Sequence, residues 1–107
     1  MEKVQATDIL QQLRDELTKV LKEQMVGLYL YGSHARGDAR PDSDWDVLVV
    51  VRGEFEYFTL VEQTGEIAAR LSLQYDTVIS LAFTSAANFN EQNIPFFLNI
   101  RQEGIAI

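Results

Sequence analysis

The chain has no cysteine, a single histidine, two prolines and only nine basic residues in 107, and each scarcity closes off a class of protein. Without cysteine, disulfides and thiolate metal sites are excluded. One histidine rules out a histidine-rich zinc centre. Any metal must therefore be held by oxygen ligands, which suits Mg²⁺, Mn²⁺ or Ca²⁺. No apolar run approaches the roughly 20 residues needed to span a bilayer, and Met1-Glu2-Lys3-Val4-Gln5 lacks the basic segment and apolar core of a signal peptide. The expectation is a cytoplasmic protein with no membrane contact. The basic residues are scattered and outnumbered by 16 acidic ones, for a net charge of −7, so no direct nucleic-acid binding is expected. An acidic surface of this kind is either simply solvated or turned toward a basic protein partner.

What is present is the balance of a globular protein, 47% apolar and 23% charged, and the length suits one domain over residues 1–107. From Val4 to Gln24, Val4, Ile9, Leu10, Leu13, Leu17, Val20 and Leu21 recur at three- and four-residue spacing, which predicts an amphipathic helix. Met25–Tyr31 is a short β-prone run ending at Gly32, and Trp45–Val51 is a second, apolar on both faces and so central to its sheet. Helical spacing returns over Phe58–Leu73, and Gln74–Phe83 reads as a third strand. Asn88–Asn93 is polar and reads as loop. Pro95 opens a last helix to Glu103 with Gly104 as its stop, and Ile105–Ile107 forms a short strand or simply ends the chain. The fold class is α/β (α+β), a small mixed sheet flanked by helices.

The informative stretch runs from Tyr31 to Asp46. Asp44 and Asp46 lie two apart at the start of a strand, so their side chains share a face, roughly 6–7 Å apart. At an effective dielectric near 20 two such charges repel by about 2.5 kcal/mol. A divalent cation between them reverses that sign, so the pair asks for a metal. Asp76 repeats the anomaly in the third strand. If that strand lies beside the second, Asp44, Asp46 and Asp76 converge, a set suited to two Mg²⁺ ions with triphosphate oxygens. Asp76 would then also orient or deprotonate an acceptor hydroxyl.

At the other end of the stretch, Gly32-Ser33 follows a strand directly. Glycine permits a sharp turn there, and phosphate can approach the backbone closely. A short helix starting at Ser33 would add amide and hydroxyl donors. Arg36 either forks onto phosphate or forms a surface ion pair. His34 reads as a loop residue near the mouth of the site, and Trp45 as core. Of Phe96 and Phe97 only one can face fully inward, leaving the other to mark a protein contact.

Gly32-Ser33, ten residues, then Asp44-Trp45-Asp46 resembles the signature of the polymerase-beta-like nucleotidyltransferase superfamily. Arg36-Gly37, the Pro41-Asp42-Ser43 lead-in and the ending Asn99-Ile100-Arg101-Gln102-Glu103-Gly104 are similar to its minimal nucleotidyltransferase (MNT) branch. The resemblance covers most of the chain. It implies that Gly32 and Ser33 bind the triphosphate of ATP or another NTP, and that Asp44, Asp46 and Asp76 hold Mg²⁺. It further implies an antitoxin paired with a HEPN-domain toxin, some members transferring AMP from ATP to a toxin tyrosine. Two other functions stand beside this one: neutralising the partner by occlusion without catalysis, and nucleotidyl transfer to a small molecule or an RNA end.

Overall fold

The computed structural model describes residues 2–107, with side chains from Asp8 onward. The expectations for Met1–Gln5, including Val4 on the apolar stripe, lie outside the described side chains. Helix α1 (Glu2–Leu21) runs into a single 3₁₀ turn at Lys22–Gln24, then strand β1 (Met25–Tyr31), the one-turn helix α2 (Ser33–Arg36) and strand β2 (Trp45–Val51). Helix α3 (Tyr57–Gln74), β3 (Ile79–Ser85), α4 (Ala86–Glu91), α5 (Pro95–Glu103) and β4 (Ile105–Ala106) follow. No helix is long and apolar enough to cross a membrane among the described residues.

The sheet is mixed, in the order β3-β2-β1-β4. β2 pairs antiparallel with β1 and parallel with β3, and β1 pairs antiparallel with β4. The two apolar faces of β2 are both covered, as its sequence requires. Val47, Val49 and Val51 pack with Leu28, Leu30 and Ile79 against the stripe Ile9, Leu13, Leu17, Leu21 of α1 and Leu60, Ile67, Leu71 of α3. Leu48 and Val50 face the other way, onto Phe89 of α4 and Phe97 and Ile100 of α5. β2 is thus the buried centre of the sheet, and its first residues carry the site.

Two expectations are corrected. The stretch predicted as loop contains helix α4, because the Ser85 side chain caps it by accepting from the Asn88 amide at 3.2 Å and because Phe89 supplies a buried anchor. The third strand begins at Ile79 rather than Gln74, because α3 continues through Gln74. That helix closes with a Schellman turn: the Asp76 amide donates to Leu73 O at 3.3 Å and the Thr77 amide to Ser72 O at 3.0 Å. Asp76 itself, at φ +51°, is the left-handed residue the turn demands, a conformation Asp tolerates better than most residues do.

Candidate active site

β1 delivers the chain to Gly32, whose φ of 77° and ψ of −156° lie in a region essentially reserved for glycine. The reason for the turn stands opposite it. A Cβ on residue 32 would sit 2.5 Å from Asp46 Oδ2 and 3.3 Å from its Cγ. The glycine turn and the carboxylate therefore occupy one another's contact surface. Beyond it, the Ala35 and Arg36 amides both donate to Gly32 O at 3.1 Å, closing the single turn of α2. The amides of Ser33 and His34 precede those bonds, as the leading amides of any helix do.

The return segment to β2 is braced from within. The Arg40 amide donates to Ser43 Oγ at 2.8 Å and the Ser43 amide to Arg40 O at 3.0 Å. His34 belongs to α2 rather than to a loop. Its ring stacks on Trp45 at 3.5 Å and 11°, with Nε2 3.2 Å from the Ser43 carbonyl. Trp45 is half-buried, covered on this side by the imidazole. The Trp45 amide donates to Val78 O at 2.8 Å and so begins the ladder to β3. These contacts fix Asp44 and Asp46 on one face at the head of β2, Asp44 exposed and Asp46 half-buried. Burial raises the Asp46 pKa above the usual carboxylate value and the Asp44 charge raises it further, opposed by His34 and Arg36.

The expected third carboxylate does not join them. Asp76 is exposed in the turn after α3, and no three of the described Asp, Glu, His or Cys residues come together closely enough to hold a metal. Arg36 takes the alternative its sequence left open, with Nε 3.3 Å from Asp38 Oδ2 in an exposed ion pair, while also lining a groove beside Gly32. That groove, about 320 Å³, lies between the end of β1 and α5 and is lined by Tyr31, Arg36, Phe96, Asn99, Ile100 and Glu103. Phe97 is buried and Phe96 is 41% exposed, meeting the Tyr31 ring edge-on at 5.4 Å. Sequence reasoning missed the groove, since the packing of α5 on β1 leaves no mark in local spacing.

The donor set fits an oxygen-loving cation. Burial and the neighbouring Asp44 charge raise the cost of ionising Asp46, a cost that a bound cation would offset, and Gly32, lacking a Cβ, lets the turn pass close beside its carboxylate. Asp44 and Asp46 would supply the protein's ligands to Mg²⁺, with further oxygens coming from a bound phosphate chain.

A glycine turn locked against a carboxylate pair at the head of a mixed sheet is the layout of a nucleotide-handling enzyme. Residues 11–107 match the family described as Polymerase beta, Nucleotidyltransferase, and the chain belongs to it. Two Methanocaldococcus jannaschii proteins, each named "putative protein adenylyltransferase", are similar to it. One is 39% identical over 68% of this chain and 73% of its own length. The other is 33% identical over 83% and 88%. The fold is shared with a structure of a tri-AMPylated Shewanella oneidensis HEPN toxin in complex with an MNT antitoxin. There the match is 17% identical, covers 99% of this chain and 71% of the matched one, and has a TM-score of 0.57.

Proposed function

We propose that the chain transfers AMP from ATP, with Mg²⁺, to a hydroxyl of a protein partner, a tyrosine of a HEPN-type toxin, and so acts as that toxin's antitoxin. The observation that carries the reading is the close contact between the Gly32 turn and Asp46, which sets the backbone leading into α2 directly beside a carboxylate suited to a cation. Gly32 and Ser33 receive the triphosphate, with Arg36 as a further donor once its exposed pairing with Asp38 is exchanged for phosphate. Asp44 and Asp46 hold the cation, which when bound neutralises charge on the triphosphate. The acceptor hydroxyl oxygen then attacks the α-phosphorus, its proton passing to solvent, while the bond to the β-phosphate oxygen breaks and pyrophosphate leaves. The names of the two archaeal relatives and the AMPylated toxin of the structural neighbour support protein as acceptor.

One observation favours a second reading. The described residues bring two acids together rather than three, and α5 with its N-cap residue exposes Ile94, Phe96 and Leu98, so neutralisation by occlusion stands as the alternative. Incubation with Mg²⁺ and α- or γ-labelled ATP, alone and with host extract, separates the two. Transfer of the α-label alone to a protein band, lost in Asp44→Asn, is expected. Neutralisation of the toxin undiminished in Asp44→Asn, with no label transferred by the native chain, would establish occlusion instead.

A further inference from the structure

The register of the sheet aligns one row of side chains across the head of β2. Tyr31 of β1 is the partner of Asp46 on one side, and Ser80 of β3 is its partner on the other. Register partners on adjacent strands are about 4.8 Å apart and point to the same face. Ser80 is half-buried and therefore stands next to Asp46 on the face that carries both carboxylates. Asp76 lies four residues earlier in the chain, held by the Schellman turn that ends α3, and outside this row.

We infer that Ser80, and not Asp76, is the third side chain of the site, a neutral hydroxyl standing where a carboxylate would complete a three-acid cation cage. The inference rests on the reading of Asp44 and Asp46 as cation ligands. Its consequence is electrostatic. With two acids in place of three, the protein contributes one fewer negative charge, so a divalent cation is retained only when a nucleotide brings its own oxygens. Ser80 can donate to or accept from an acceptor hydroxyl, but it cannot take that proton at neutral pH as a carboxylate could.

The test uses the full chain and Mn²⁺ as probe, its binding followed by paramagnetic resonance, alone and with a non-hydrolysable ATP analogue. Native protein binds Mn²⁺ appreciably only with the analogue. Ser80→Asp is expected to tighten binding of Mn²⁺ alone by roughly tenfold, through the added ligand charge. Asp76→Asn is expected to leave both affinities unchanged. Ser80→Ala, which covers the case of an unstable aspartate variant, is expected to weaken the Mn²⁺–analogue complex by about fivefold, the equivalent of one hydrogen bond. Unchanged Mn²⁺ binding in a folded Ser80→Asp or in Ser80→Ala, or loss of binding in Asp76→Asn, would overturn the inference. Asp46→Asn marks the other failure: if it binds Mn²⁺ as the native chain does, the carboxylate pair itself is not the cation site.

Discussion

Asp46 and Glu16 are both half-buried carboxylates, and their surroundings push them in opposite directions. Glu16 sits on α1 within reach of Arg70 on α3, and that hydrogen bond lowers its pKa below the ordinary value. Asp46 sits at the head of the central strand beside a second acid, and burial raises its pKa. The Glu16 pair complements its charge from within the fold. The Asp46 pair does not: its inner carboxylate lies against the glycine turn, with burial and a second acid raising its pKa. The contrast separates a part of the molecule that holds two helices together from the part proposed to hold cation and nucleotide.

The sharpest way to break the contrast is Asp46→Asn. Removing the inner carboxylate should lower the transfer rate by on the order of a thousandfold, the scale seen when one electrostatic contact to the reacting phosphate is lost. Without nucleotide and cation, the same variant should melt at the same temperature as the native protein or slightly higher, because repulsion with Asp44 is gone. A clear fall in melting temperature would show Asp46 to be a structural residue. Leu48→Ala, two positions on and fully buried, should behave in the opposite way. It should cost about 2–5 kcal/mol in denaturant unfolding, while the folded fraction keeps its rate per molecule. One seven-residue strand would then divide cleanly between function at its head and stability in its body.

A smaller effect sharpens the role of Asp76. With φ at +51° as the residue after the α3 cap, it holds the place helices most often give to glycine. Asp76→Gly should therefore be neutral or stabilising, by at most about 1 kcal/mol, with label transfer retained. A loss of transfer on the scale of Asp46→Asn would return Asp76 to the site.

What the sequence made legible follows from the range of the forces involved. The apolar stripe of α1 and the two-faced run Val47–Val51 declare their elements because burial acts at fixed local periods. Gly32-Ser33 and the Asp44, Asp46 pair were legible for a different reason, since a glycine turn and two like charges on one strand face have a cost that structure alone does not explain. Ser80 was not legible, because its place beside Asp46 depends on the register between strands separated by all of α3. A carboxylate in a β-prone run, Asp76, drew attention away from it. Helix α4 was hidden by three asparagines and a glutamine around one anchoring phenylalanine. Its attachment to α5 is equally non-local: Arg101 donates to the carbonyls of Phe89 and Gln92 and to Asn93 Oδ1.

The other carboxylate of the comparison gives the smallest effect and a pH signature of defined sign. Arg70 donates to both Glu16 oxygens and to Glu66 Oε1, tying α1 to α3 on the face of the sheet away from Asp46. Because the folded-state pKa of Glu16 is depressed, its contribution to stability is fully present above the ordinary glutamate value of about 4.3. It is lost as pH falls through the lower folded value. Glu16→Gln should accordingly lower the melting temperature slightly at pH 7 and converge on the native protein in strong acid, flattening the melting curve's acid limb. The pair is solvent-exposed on the Arg70 side, so the difference at pH 7 should also shrink as salt is added. Equal melting temperatures at pH 7 in low salt would mean that the ion pair contributes nothing measurable and that apolar packing alone joins the two helices.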